Sequence, residues 1–334
     1  MNKNVLILVG VAALAGLAYI FVAGDKGGMQ TAEGPKIGII LGYTGPIESL
    51  TPDMAMGAEL AIAEANSSGN FALGEVTSVR ADSTCIDSAA ATAAAERLVT
   101  SDKVNAIMGA DCSGVTTAIL ENVAVPNGVM MVSPSATSPA LSTVADNDLF
   151  FRTAPSDARQ GEVVAEILKD KGYKTAAMTY TNNDYGKGLA DSIKSNFEAN
   201  GGVITISTAH EDGKGDYGAE VAALAQAGGE ILIVAGYLDQ GGKGIIQASL
   251  DADAFNMFYL PDGMIGDALP EAIGPGLNGS IGDVPGTDSP GAAKKTLDIG
   301  KYLLFLSSCG LLIRKKTSQA SAKYILCKKI CFKI

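Results

Sequence analysis

The sequence contains no tryptophan and one histidine, and only 6% of its 334 residues are aromatic. A zinc site built from several histidines is excluded, because His210 cannot assemble one alone. A Ser-His-Asp triad would also have to use His210, which sits in an acidic turn with no serine motif beside it. Neither a P-loop lysine motif nor a G-x-S-x-G nucleophile elbow occurs. The residues offer no basis for an enzyme, a metal site or a cofactor. Basic charge is scarce as well: 25 Lys/Arg stand against 36 Asp/Glu, a net charge of −11. Nucleic-acid binding needs basic surface that displaces counterions from phosphates, so no nucleic-acid partner is expected. Five cysteines are too few for a disulfide scaffold in a chain of this length, and a hydrophobic content of 47% excludes a disordered one.

Long apolar runs are limited to Val5–Ala23, flanked by Lys3 and by Asp25–Lys26. As a helix this run would span roughly the 30 Å of a hydrocarbon core, so residues 1–24 read as a signal peptide or an N-terminal membrane anchor. Phe21-Val22-Ala23-Gly24 is a poor small-x-small cleavage site, and no cysteine nearby could carry a lipid. Export to the periplasm or another extracytoplasmic space is expected, with membrane contact through residues 5–23 if the segment is retained. Gly27–Pro35 reads as a linker.

Charge divides the rest. From Lys294 onward the chain carries ten Lys/Arg and one acid, Asp298, a net of +9 against −20 for everything before it. Cysteine divides at the same place, with Cys85 and Cys112 in the acidic body and Cys309, Cys327 and Cys331 in the basic tail. Tyr302–Ile313 is apolar but too short to span a bilayer.

From Lys36 on, apolar β-branched runs alternate with segments of helical period. Strands are expected at Lys36–Leu41, Val76–Ala81, Asn105–Gly109, Val129–Ser133, Thr175–Tyr180, Val203–Thr208, Glu230–Ala235 and Asn256–Leu260. Between them, Thr51-Pro52-Asp53 offers an N-cap, a helix-starting proline and a first-turn acid, with Gly69 as the stop. Asp157–Lys171 places Val163, Val164, Ile167 and Leu168 on one face, and Gly186–Asn200 spaces Leu189, Ile193 and Phe197 four apart. This order implies α/β architecture with parallel sheets covered by helices. Leu149–Thr153, with no long helix before it, reads as a strand crossing between two lobes.

Gly213-Lys214-Gly215-Asp216-Tyr217-Gly218 matches a dinucleotide fingerprint, but Glu211, Asp212 and Asp216 would repel a pyrophosphate. A turn capped by Asp216 before a helix over Tyr217–Gln226 is the better reading. More informative is a recurrence of polar residues just beyond strand ends: Ser113 and Thr116, Ser135 and Thr137, Asn183 to Tyr185, Tyr237 and Asp239, and Asp262. Open α/β sheets bind ligands there. Helix capping accounts for single Ser, Thr or Asp residues at such positions, but not for the two tyrosines.

In these segments the chain resembles the type I periplasmic solute-binding proteins, in particular the branched-chain amino-acid (leucine/isoleucine/valine)-binding family of ABC importers. The likeness rests on Leu41-Gly42-Tyr43-Thr44-Gly45-Pro46, Asp111-Cys112-Ser113 through Thr117, and Ser133-Pro134-Ser135-Ala136-Thr137-Ser138-Pro139. It continues in Asn183-Asp184-Tyr185-Gly186-Lys187-Gly188, Ala235-Gly236-Tyr237 and Leu260-Pro261-Asp262-Gly263. The resemblance implies two Rossmann-like lobes joined by crossing hinge strands, at 36–153 with a return near 280–295 and at 154–279. It implies a small amino-acid ligand between them, delivered to the membrane subunits of an ABC importer. Ser113, Ser135 and Thr137 would receive the ligand's charged groups from lobe one; Tyr185, Tyr237 and Asp262 would come from lobe two. Leu50 stands where such proteins often carry an aromatic residue, and Asp262 where they carry a glutamate.

A Cys85–Cys112 disulfide is expected on two grounds. Export favours disulfides, and these two cysteines of the acidic body each lie just beyond a strand; the resemblance points to the same pair. The tail 296–334 lacks the family pattern. That points to a disturbed reading frame or gene end, or to a basic segment touching an anionic membrane. Lobe one is then expected to be incomplete at its C-terminal end and the protein to be poorly stable. A ligand-sensing receptor module of the same fold, or a binder of an amide or small carboxylate, are the alternative functions.

Overall fold

The computed structural model describes residues 34–285, apart from 69–73 and 267. The apolar run 5–23, the helix stop at Gly69 and the basic tail 296–334 with its three cysteines lie outside the described residues.

Among the described residues the chain forms two five-stranded, all-parallel sheets, in the orders β2-β1-β3-β4-β5 and β10-β9-β8-β6-β7. The first comprises β1 (Lys36–Leu41), β2 (Thr77–Asp82), β3 (Ala106–Gly109), β4 (Met130–Ser133) and β5 (Phe150–Arg152). The second comprises β6 (Thr175–Thr181), β7 (Val203–His210), β8 (Ile231–Ala235), β9 (Phe258–Leu260) and β10 (Ile281–Gly282). Counted from its own first strand, each sheet has the order 2-1-3-4-5. The connections reverse direction beside that first strand, which is where such sheets open a crevice at their carboxyl ends.

Alternation within β1 explains the layering of the first lobe. Ile40 faces one way, with Ile107, Met131 and Phe150, onto α2 (Ser88–Thr100) and α3 (Ser113–Ile119). Ile39 and Leu41 face the other way, with Met108, onto Ala55 and Ala58 of α1 (Thr51–Ser67). In the second lobe the central strand β8 is buried at every residue, as a parallel strand covered on both faces must be. Ile231 and Ile233 meet α4 (Asp157–Asp170) and α5 (Asp184–Ala199) through Val164, Leu168, Leu189, Ile193 and Phe197. Leu232 and Val234 meet α6 (Gly218–Ala227) and α7 (Lys243–Asp251) through Val221, Leu224, Ile245 and Ile246. A short α8 (Ala268–Ile273) follows β9.

The expected strands are all present, with ends displaced by up to two residues. Phe150–Arg152 closes the first sheet at its edge beside β4, and the chain leaves it through residues 153–156 directly into α4. Two local expectations change, and the turn expected at the glycine motif is present. Thr51 is the first residue of α1 and not its cap, since its hydroxyl donates to the Gly42 and Glu48 carbonyls. The start of the expected return to lobe one near 280–295 instead extends the second sheet, with Ile281–Gly282 pairing with Tyr259–Leu260; residues 286–295 lie outside the described ones. The glycine motif forms a turn in which Asp216 accepts from Gly218 N–H at 2.8 Å and Lys214 pairs with Glu220.

Candidate functional site

The loops after β1, β3 and β4 meet those after β6, β8 and β9 where α3 packs against α5. Ser113 opens α3 and is 1% exposed; its Oγ accepts from Ser138 N–H at 3.1 Å, which leaves the hydroxyl hydrogen free to donate. Ser135 spends its hydroxyl on the Asp111 carbonyl at 3.0 Å. Thr137 is buried beside them, and its carbonyl accepts from Asp157 N–H at 2.9 Å.

Asp111 holds this side of the cleft together. Its Oδ2 accepts from Gly42 N–H at 2.7 Å, and its Oδ1 accepts from the Ser83 hydroxyl at 3.0 Å and Cys112 N–H at 3.1 Å. One carboxyl thereby ties together the ends of β1, β2 and β3. Burial raises its pKa, and the bonds from Gly42, Ser83 and Cys112 oppose that shift. The Cys85–Cys112 disulfide is formed, with Cα atoms 5.2 Å apart. The two strands it serves are not neighbours. β2 and β3 flank β1, so the bridge passes over the end of the central strand, and a Cβ added at Gly42 would lie 3.3 Å from that of Cys85.

On the opposite side, Tyr185 in the first turn of α5 is 3% exposed and stacks on Tyr237, ring centroids 4.7 Å apart. Its hydroxyl donates to Asp262 Oδ1 at 2.8 Å and accepts from Gly263 N–H at 3.2 Å. Gln160 Nε2 donates to the same Asp262 oxygen at 3.0 Å. The Asp262 carboxylate is thus engaged by side chains of its own lobe, not in capping the short turn it begins. Tyr237 packs against the cores of both lobes. Burial raises the pKa of both tyrosines well above the usual value, and neighbouring carboxylates, Asp262 and Asp157 among them, add to it.

The structure therefore brings together all six residues singled out as ligand-binding. It does not bring in Asp239, which is exposed and paired with Lys243 at 3.0 Å, nor Asn183, which caps α5 through Gly186 N–H. Thr116 is buried in α3 with its hydroxyl unpartnered. His210 is buried in the second lobe at the end of β7, between the hydroxyls of Thr179 and Thr181, and burial lowers its pKa to about 4.

Three polar residues of the site had no sequence signal of their own. Asp157 reads as the start of a helix, Gln160 as a polar position within it, and Asp283 as part of the return expected near 280–295. Gln160 Nε2 bridges Asp262 and Asp283, the latter at 2.9 Å, and Asp283 also accepts from the Tyr259 hydroxyl at 3.0 Å. Burial is the main reason that the Asp283 pKa rises to about 6. No group of three or more His, Cys, Asp or Glu among the described residues could hold a metal ion.

Two parallel sheets of the same order, whose C-terminal loops gather hydroxyls, stacked tyrosines and a held carboxylate, define a two-lobed ligand-binding protein. Comparison with known sequences agrees: the family described as "Periplasmic binding protein" matches residues 34–297, and this chain belongs to that family. It is 32% identical over 247 residues to the Leu/Ile/Val-binding protein homolog 3 of Brucella melitensis, covering 72% of this chain and 62% of that protein. It is 30% identical over 278 residues to the leucine-, isoleucine-, valine-, threonine-, and alanine-binding protein of Pseudomonas aeruginosa, covering 80% and 71%. Among solved structures, a leucine binding protein from Thermotoga maritima superposes with a TM-score of 0.68 at 25% identity, covering 80% of this chain and 75% of that one.

Proposed function

We propose that this protein works outside the cytoplasm as the solute-binding component of an ABC importer. Its lobes, residues 36–153 and 154–279, close on a small aliphatic α-amino acid and present it to the membrane subunits. The observation that carries the reading is the Asp262 carboxylate, held by Tyr185 and Gln160 opposite the hydroxyls of Ser113 and Thr137. A zwitterion leaving water needs both charges met. Asp262 faces the ammonium. Ser113 and Thr137, with the N–H groups that open α3, face the carboxylate, and Ser135 fixes their loop. The stacked Tyr185 and Tyr237 cover the apolar side chain. The names of the Brucella, Pseudomonas and Thermotoga relatives support the same ligand class.

A thermal-shift screen of the twenty amino acids, with amides and small carboxylates, should single out an aliphatic α-amino acid, because a ligand that binds only the folded state raises its apparent stability. Asp262→Asn then keeps the shape and removes the charge. Calorimetry should show binding of the selected amino acid weakened by about 2–5 kcal/mol, the usual cost of breaking a buried charge pair. Unchanged affinity in the folded variant refutes the assignment of Asp262.

A further inference from the structure

Asp157 is the one carboxylate of the site with nothing to hold. It begins α4 at the point where the chain enters the second lobe, but the side chain that caps this helix belongs to Ser156, which accepts from Ala158 N–H. Asp157 is 0% exposed, and neither of its oxygens meets a donor at hydrogen-bond geometry, although the Thr137 side chain lies close enough to favour ionisation. Its own N–H is fixed to the Thr137 carbonyl, which pins it to the binding loop of lobe one.

The groups that face it come from every side of the cleft. They are Thr137 after β4, Arg152 in β5, Tyr185 opening α5, Tyr237 after β8, Asp262 after β9 and Asp283 after β10. Arg152 is the one cation in this group, and its guanidinium is spent on the carbonyls of Ala136 and Ser138 and the hydroxyl of Ser142. The neighbouring acid is not free to move away, because Gln160, one turn along α4, fixes Asp262 and Asp283 together. A buried carboxylate without donors is among the costliest arrangements a fold can carry, and a fold retains one where a partner arrives from outside.

We propose that Asp157 is a ligand-contacting residue. With Asp262 it forms a carboxylate pair that accepts two of the three N–H bonds of a primary ammonium group, so the cleft selects α-amino acids over the corresponding α-hydroxy acids. The inference rests on the amino-acid reading of the site and names a second anion within it.

A consequence follows for protons. Without ligand, burial and the adjacent Asp262 charge push the Asp157 pKa well above the usual carboxylate value, while Thr137 and Arg152 oppose this. When the ammonium enters, its positive charge stabilises the carboxylate and lowers that pKa, so the carboxyl gives up protons to solvent on binding.

Titration calorimetry at pH 6 with L-leucine, L-isoleucine and L-valine tests the proposal, run in two buffers of different ionisation enthalpy to count protons. Wild-type protein should release protons on binding. Asp157→Asn should weaken binding of the same amino acid by about 30-fold or more and abolish the release. Its affinity for 2-hydroxy-4-methylpentanoate should change less than about threefold, since a hydroxyl does not bring the charge that calls on the carboxylate. Because Asn replaces a buried carboxyl whose oxygens have no hydrogen-bond partner in the ligand-free fold, the variant should melt no lower than wild type, and the wild-type proton count stands without any variant. Asp157→Asn protein that binds the amino acid within threefold of wild type, or that still releases protons, overturns the role of Asp157 alone. Wild-type protein that binds none of the three amino acids overturns the amino-acid reading, and this inference with it.

Discussion

Opening the Cys85–Cys112 bridge gives a direct measure of how far the first lobe depends on its covalent brace. The two cysteines are 27 positions apart. Cross-linking a loop of that length removes denatured-state entropy worth about 3–4 kcal/mol at 25 °C. Native contacts should survive the loss, because the loops on either side are held independently. Asp82 accepts from the N–H groups of Tyr43 and Thr84 and from the Thr44 hydroxyl, and Asp111 accepts from Gly42, Ser83 and Cys112. The entropy term should therefore appear almost undiluted. Both cysteines are at most 5% exposed, so reduction requires opening in denaturant before refolding with a thiol present. Urea unfolding of the oxidised protein, the reduced protein and the Cys85→Ser/Cys112→Ser variant should place the last two about 3–4 kcal/mol lower. In a thermal scan that is a fall of about 6–16 °C for a domain of this size. Oxidised and reduced proteins that unfold within about 1 kcal/mol of each other would falsify the reasoning, since no loop of this length closes for so little on the chain-entropy account.

Two further outcomes are expected. Burial lowers the His210 pKa from 6.5 to about 4, so the folded state resists a proton that the unfolded chain accepts. The stability this contributes is complete above pH 6.5 and is lost as the pH falls towards 4, about 3 kcal/mol across the window. The stability difference between wild type and His210→Asn should shrink by that amount over the same range in chemical denaturation, and a difference that stays flat with pH counts against it. At Gly188, an added Cβ would lie 2.9 Å from Pro139 Cδ and 3.3 Å from Ser138 Oγ, across the contact between lobes. Gly188→Ala should weaken binding of the amino acid chosen by the thermal screen about tenfold, the scale of a modest overpacking cost, and an unchanged dissociation constant refutes a role for that contact in closure.

The two sheets were legible from sequence because their strands are short apolar runs bounded by polar turns. β8 reads Ile-Leu-Ile-Val-Ala and is buried throughout, as such a run predicts. β10 was not legible, since two residues, Ile281–Gly282, carry no period. The candidate site divides in the same way. Residues placed by a local rule, just beyond the end of a parallel strand, were singled out: Ser113, Ser135, Thr137, Tyr185, Tyr237 and Asp262. Residues placed by tertiary approach were not. Gln160 reaches Asp262 across 102 positions and Asp283 across 123, separations at which no local pattern exists. Asp157 was disguised by its own respectability, as an acid in the first turn of a helix is what the helix dipole favours anyway.

The position of Tyr237, packed against the cores of both lobes, changes what closure means thermodynamically. Were the lobes hinged shells meeting only at a polar rim, bringing them together would cost and return little hydration. Here the ring completes two apolar interiors at once, so separating the lobes exposes carbon to water on both sides. Apolar burial carries a negative heat-capacity change. The enthalpy of capture should therefore grow more favourable with rising temperature, by more than the ligand's own side chain can account for, because part of what the ligand drives into the dry interior is the protein itself.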